Sequence, residues 1–274
     1  MTTADATVVE KALDDLLAAH DPATTDKAMF LGAQFDAGLA WVHAEPGFGG
    51  LGMAAALQSM VDARLREVGA PNPVDNFVGV FQSAAALHAA GTTEQKRRLL
   101  RPLFTCEEYW CQLFSEPGAG SDLAGLATSA VRDGDEWIVN GQKVWTSGAR
   151  IARWAILIAR TDPHVPKHRG LTFFICDMHS DGVEIRPLRQ ADGGAHFNEV
   201  FLTDVRIPDS MRVGEVGQGW GVSLAGLNSE REGFGLSVQI GLTIDDVLSL
   251  WSSRGDRGST EAVVMRQRMV RAWM

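Results

Sequence analysis

Cysteine is scarce in this chain of 274 residues: Cys106, Cys111 and Cys176 make an odd number, with no Cys-x-x-Cys pair. That excludes a disulfide framework and a thiolate zinc site, and leaves reduced structural thiols of a cytoplasmic protein as the expectation. Histidine at metal spacing is missing as well. His164 and His168 stand four apart, but Pro163 and Pro166 forbid the regular helix that would align them, so a loop with two solvated histidines is expected and no metal site. Positive charge is in deficit. A formal net charge of −9 excludes nucleic acid or an anionic membrane surface as the main partner.

Long apolar runs are absent too. The stretch from Trp154 to Ala159 is typical of the longest, far too short to cross a bilayer, so no membrane insertion is expected. The N-terminus carries Asp5, Glu10, Asp14 and Asp15 in place of a basic segment followed by an apolar one, and no secretory signal is read there. There is no internal repeat and no low-complexity segment. What remains, 45% hydrophobic and 22% charged residues, is the composition of a soluble globular protein with a substantial core.

The first hundred or so residues predict helices. Val9, Ala12, Leu13, Leu16 and Leu17 recur at helical spacing, residues 54–68 continue in that style, and an alanine-rich helix is expected from about Phe77 to Ala90. Thr92 or Thr93 caps a further helix over residues 94–100. A glycine-rich loop, Glu45-Pro46-Gly47-Phe48-Gly49-Gly50-Leu51-Gly52, interrupts the series. Around Tyr109 the texture changes. Trp137-Ile138-Val139, Asn140-Gly141 and then residues 142–145 read as a hairpin, because Asn-Gly supplies the positive φ angles of a type I′ turn. Residues 154–159, 171–176, 183–185 and 199–202 are further strands, giving a compact antiparallel β domain that Pro208 closes. From Gly219 the helical period returns. Trp220, Leu224, Leu227, Phe234, Val238, Leu242, Val247 and Leu250 form one stripe, a turn at residues 254–259 ends that helix, and a second starts near Thr260. The expected class is α+β: a helical domain over residues 1–108, a central antiparallel β domain over 109–214, and the start of a helical bundle over 215–274.

Chemistry concentrates in two segments. In the first, Phe114-Ser115-Glu116-Pro117-Gly118-Ala119-Gly120-Ser121-Asp122, the glycines suggest a dinucleotide fingerprint, yet the third glycine of that motif would fall on Leu123 and no βαβ unit surrounds it. A tight turn without a ligand is the plain alternative. In the second, Lys143-Val144-Trp145-Thr146-Ser147, an aromatic plate and hydroxyls follow the hairpin. An isoalloxazine ring needs flat apolar faces and donors along its polar edge, while Trp145 also has the ordinary reading of a core tryptophan. A third feature is Asn228-Ser229-Glu230-Arg231. Leu227, Glu230 and Phe234 share a helical face, and Gly226, Leu227, Gly233 and Phe234 offer Glu230 no cationic neighbour. A carboxylate so placed is neutral, paired in space with a distant arginine, or used as a general base.

Together these residues resemble the acyl-CoA dehydrogenases. The likeness begins near Trp41 and the loop at residues 45–52, and runs through Gly91-Thr92-Thr93-Glu94-Gln95-Lys96 and the Ser115-to-Asp122 segment. It continues in chain order through Asn140 to Ser147, Phe197-Asn198-Glu199-Val200-Phe201, Asp204-Val205-Arg206-Ile207-Pro208 and Glu230-Arg231. It implies FAD as cofactor, with Phe114, Ser115, Gly120 and Ser121 lining the flavin, Trp145 beside its dimethylbenzene end and Ser147 bonded to N5. Ser121, Leu227, Asn228 and Arg231 would meet the acyl-CoA, Asn228 standing where some branches carry aspartate.

The family's reaction is α,β-dehydrogenation of an acyl-CoA thioester to a trans-2-enoyl-CoA, with electrons passed to electron-transfer flavoprotein. Glu230 matches the base of the minority branch that carries it in the long helix just before an arginine. The Phe197-to-Phe201 segment is similar to enzymes acting on bulky, steroid-like acyl groups. The family closes with a four-helix bundle, whereas residues after Gly219 hold one such helix and the opening of a second, so most of the C-terminal domain is expected to be lacking. A homo- or hetero-oligomer follows, with two rival readings: a non-catalytic or truncated subunit acting only within a heteromeric assembly, and an acyl-CoA oxidase.

Overall fold

The computed structural model describes residues 3–236, 244–253 and 259–273. The chain forms two compact units, Met1–Glu232 and Gly233–Met274. The first opens with α1 (Thr3–Ala19), α2 (Lys27–Asp36) and α3 (Gln58–Glu67). Val9, Leu13 and Leu16 of α1 lie on one face and are buried against Phe30, Leu39, Val61 and Leu65. Asp26 starts α2 by accepting hydrogen bonds from the Ala28 and Met29 N–H groups.

The helix expected over residues 77–90 departs from the α form at its start. Val78–Ser83 is a π turn, and the α-helix proper, α4, spans Ala84–Ala90. A π turn widens the helix by one residue and re-aims the side chains around it. α5 (Thr93–Phe104) follows, and Thr92 is its cap. The Thr92 hydroxyl accepts from the Gln95 N–H while the Gln95 side chain accepts from the Thr92 N–H, a reciprocal capping box. The same Gln95 amide donates to the carbonyls of Ser210 and Arg212 at 2.7 and 2.8 Å, fastening the helical layer to the β segment.

Eight strands make one sheet among the described residues: β1 (Trp110–Leu113), β2 (Ser129–Asp133), β3 (Glu136–Ser147), β4 (Trp154–Arg160), β5 (Leu171–Asp177), β6 (Val183–Leu188), β7 (Phe197–Pro208) and β8 (Arg212–Val213). Their order is β6-β7-β3-β2-β4-β5-β8, with β1 added beside β4. Most pairings are antiparallel, as expected; β1 with β4 and the single β2–β4 bridge are parallel. Strands β4 and β5 are buried on both faces, which is why they read as unbroken apolar runs rather than alternating ones. Ile156, Ile158, Phe173 and Ile175 face the helices with Leu99, Leu103 and Phe104, while Ala155, Leu157, Phe174 and Cys176 pack with Trp137, Val205 and Ile207.

The hairpin predicted at Asn140-Gly141 is not there. Residues 136–147 are one continuous strand, and the turn to it lies at Gly134, between β2 and β3. Asn140 serves instead at a bulge against β7, where the pairing slips between Val139 and Gly141. Its side chain donates to the Asp204 carboxylate and accepts from the Asp204 N–H, both at 2.9 Å, and Asp204 takes the positive φ of 50°. Gly141 is required for close approach: a Cβ there would overlap the Thr128 side chain.

After the sheet, α6 (Gly219–Leu236) begins in the first unit. The second unit holds α7 (Ile244–Ser253) and α8 (Thr260–Trp273). Val238 and Leu242 of the predicted stripe, and residues 254–258 of the predicted turn, lie outside the described residues. Among the described residues no helix is long and apolar enough to cross a membrane.

Candidate active site

The loop that leaves β1 carries residues 114–122, and β3 carries residues 143–147; the fold ties the two together through a buried lysine. Lys143 is fully buried, and its Nζ donates to the Phe114 carbonyl (3.0 Å), the Ile158 carbonyl (3.0 Å) and Glu116 Oε1 (2.9 Å). All three ammonium donors are thereby spent. Glu116 in turn accepts from the Ala127 and Thr128 N–H groups at 2.6 and 2.9 Å, and the Val144 N–H donates to the Ser115 carbonyl at 2.9 Å. Burial lowers the Lys143 ammonium to about 8 against the upward pull of Glu116. Burial works to raise the Glu116 carboxyl; the Lys143 charge and the two N–H groups outweigh it and hold it below the usual carboxylate range. Both groups are charged at neutral pH, a dry ion pair that fixes where the loop lies.

Directly after this anchor the pairing of β3 with β7 slips again, between Lys143 and Thr146. The extra residue on β3 forms a bulge, and Trp145 sits in it with φ 62°. For a bulky side chain this is a strained conformation. It turns the indole outward: Trp145 is 63% exposed, between Val144 and Thr146, which are buried. Its ring meets Phe197 edge-on at 6.1 Å. Trp145 is therefore not the core tryptophan of the plain reading. The Thr146 hydroxyl and the Asn198 side-chain oxygen are buried with no hydrogen-bond partner among the described residues.

The remaining predicted loop residues divide. Gly120, Ser121 and Ser147 are exposed and Ser115 half-buried. A Cβ added at Gly118 or Gly120 would meet nothing within 4 Å, so the loop has open space beside it. Phe114 points the other way; it is 5% exposed and packs edge-on against Phe173 in the core, with only its backbone engaged in the anchor.

On α6, Leu227 packs against the core and Glu230 is half-buried, while Asn228 and Arg231 lie on the neighbouring exposed strip. Among the described residues Glu230 finds no distant arginine. Its Oε2 accepts a 2.8 Å hydrogen bond from Gln82 Nε2 in the π turn. Burial raises its carboxyl above the ordinary range, over the lowering effects of Arg231 and of the Gln82 bond. Gln82, Lys143 and Glu116 are functional candidates that the sequence reading missed. The available signals were a lone glutamine inside an apolar helical run and a lysine at an inward strand position.

The profile of the family "Acyl-CoA dehydrogenase, middle domain" matches residues 111–205, the span from β1 into β7. Acyl-CoA dehydrogenase FadE34 of Mycobacterium tuberculosis is 44% identical over 73% of this chain and 28% of its own length. Acyl-CoA dehydrogenase IpdE1 of the same organism is 39% identical over 82% of this chain and 58% of its own. The chain thus spans less than two thirds of the length of either relative. Among solved structures, the Tcur3481-Tcur3483 steroid ACAD superposes with a TM-score of 0.68 at 26% identity, covering 100% of this chain and 73% of that one. With the middle-domain match lying on the strands that carry the anchored loop and Trp145, the chain belongs to the acyl-CoA dehydrogenase family.

Proposed function

We propose that this chain binds FAD and takes part in α,β-dehydrogenation of an acyl-CoA thioester to a trans-2-enoyl-CoA, electrons passing to electron-transfer flavoprotein. The observation that carries the reading is the fastening of residues 114–116 to β3 immediately before the bulge that turns Trp145 outward. The residues fit a flat, polar-edged ring: an exposed indole, open space beside Gly118 and Gly120, and polar atoms on Thr146 and Asn198 that have no partner among the described residues. In this reading residues 1–108, 109–214 and 215–274 are the N-terminal helical, central β and C-terminal helical parts. Ser115, Gly120, Ser121, Trp145 and Ser147 hold the cofactor, with Phe114 contributing its backbone.

Bound FAD supplies the acceptor for the hydride leaving the acyl β-carbon. The protein's part is to bind, orient and move one proton. Glu230 takes the α-proton, and its raised carboxyl suits a general base, which works best with a pKa near the operating pH. Leu227, Asn228, Arg231 and Ser121 are assigned to the acyl-CoA. A steroid-like acyl group is favoured by the likeness to the steroid ACAD.

Purified chain given FAD should show flavin absorbance. Anaerobic addition of a panel of butyryl-, octanoyl- and steroid-carrying acyl-CoA should bleach it, and Glu230→Gln should bind flavin yet fail to bleach. A colourless chain rejects the cofactor assignment, and bleaching by Glu230→Gln rejects the base. Peroxide on aerobic turnover would make the chain an oxidase instead. A second reading, action only inside an assembly, is favoured by α8, where Val263, Val264, Met265 and Val270 are exposed. Flavin binding restored only by a partner chain would select it.

A further inference from the structure

The π turn at Val78–Ser83 has no role in binding FAD as described above, yet among the described residues it delivers the one side chain bonded to Glu230. Gln82 is 2% exposed, although a glutamine ordinarily keeps its amide in water. Its backbone is fixed by the π turn, where the Ala84 N–H reaches back to the Gly79 carbonyl and the Ser83 hydroxyl donates to the Val78 carbonyl at 3.1 Å. Its Nε2 spends a hydrogen on Glu230 Oε2 at 2.8 Å, while its Oε1 is buried with no partner among the described residues. The orientation follows. Turned over, the amide would set Oε1 against a carboxylate oxygen, acceptor against acceptor.

The approach of the two elements is built in as well. Gly226 lies one helical turn before Glu230, on the same face of α6. A Cβ at Gly226 would stand 3.1 Å from the Gln82 carbonyl oxygen and 3.4 Å from its Cα, so glycine lets α6 settle on the π turn. The charge acting on Glu230 among the described residues is that of Arg231, on its own helix and exposed; the facing element contributes only the neutral amide.

We propose that Gln82 is a positioning residue for Glu230: its buried amide aims the carboxylate and favours the ionised form that can take a proton. This rests on the reading of Glu230 as the base. The hydrogen bond to the ionised carboxyl is charge-assisted and stronger than one to the neutral acid, so it opposes the upward push of burial. Its partial burial alone would favour the protonated form, which cannot act as a base. With the bond in place, the upward push of burial on the carboxyl is partly offset.

Two measurements test this. The Glu230 carboxyl is titrated by NMR in the chain labelled with 13C at glutamate Cδ, its signal assigned by its loss in Glu230→Gln. This needs no turnover. Gln82→Met, close in volume to glutamine, should shift the titration upward about tenfold in acid dissociation constant. Gln82→Asn, whose amide falls one methylene short, should do the same and serves if the methionine variant fails to fold. The second measurement is the pH profile of anaerobic bleaching by the fastest acyl-CoA of the panel, whose acidic limb should move with the titration. A titration unchanged in a folded variant overturns the role of Gln82 and leaves Glu230 as base. A titration that moves while the limb stays takes the base role from Glu230, and the positioning role falls with it.

Discussion

Lys143 Nζ lies 2.9 Å from Glu116 Oε1, with the lysine fully buried and the two residues on separate segments of the fold. The pair links the loop after β1 to the strand that presents Trp145, so two stretches 27 positions apart act as one surface. Removing one member leaves the other charged and dry. Lys143→Met should cost about 3–5 kcal/mol of unfolding free energy, measured by urea denaturation. Lys143→Arg, which keeps the charge in a larger head, should recover part of that loss and no flavin affinity. Equal stability in wild type and Lys143→Met would show that the pair anchors nothing.

Trp145 pairs a left-handed backbone with an exposed ring, the arrangement expected of the flavin contact proposed for it. Replacing it by glycine relieves a left-handed conformation costing ~1–2 kcal/mol, and forfeits an edge-on contact with Phe197 worth ~0.5–1.5 kcal/mol. Trp145→Gly should therefore melt at or slightly above the wild-type temperature while binding FAD at least tenfold more weakly. Thermal melts and a flavin fluorescence titration read the two effects separately. A large loss of stability would mean that the indole packs in the native fold.

Gly141 sits where β3 passes the Thr128 side chain, with Thr128 Cβ 2.7 Å from an added methyl. Gly141→Ala should destabilise by about 1–3 kcal/mol through overpacking. The double variant Gly141→Ala/Thr128→Gly should cost less than the sum of the two single changes, because the clash is shared. Additive losses would place the effect of Gly141 elsewhere.

His88 is pushed down to about 4, chiefly by burial and secondarily by the charges of Lys96 and His43, and its ring meets Trp41 at 5.2 Å. The unfolded chain binds a proton near 6.5, so between there and about 4 it holds the proton that the folded state refuses. Stability is full above the upper value and falls as pH drops through that window, by an amount on the order of 3 kcal/mol. His88→Leu should flatten this stretch of the melting curve against pH; an unchanged slope would assign the acid sensitivity to other groups.

Local chemistry was readable wherever it depends on neighbours along the chain. The cap at Thr92, one of the two threonines the sequence offered, lies within one turn of its helix, and β4 and β5 announce themselves by unbroken apolar runs. Asn140-Gly141 shows the limit of such reading. The same dipeptide supports a tight turn or a bulge with a close crossing, and the choice was made by Asp204 and Thr128, which are remote in sequence. Phe114 was legible as an aromatic of the loop, but the side it faces depends on where Phe173 lies.

By itself the sequence determined the succession of helical, β and helical regions, the two segments where glycines, hydroxyls and an aromatic concentrate, and the presence of a carboxylate on a helical face at Glu230. Those depend on period, turn chemistry and residue type. Only the tertiary structure decided that Lys143 is spent on Glu116, that Trp145 turns outward, and that Glu230 is met by the amide of Gln82, 148 positions away, rather than by an arginine. The physical reason is burial. How far a charge is desolvated, and which dipole is left beside it, depends on packing between distant segments and is written in no local pattern.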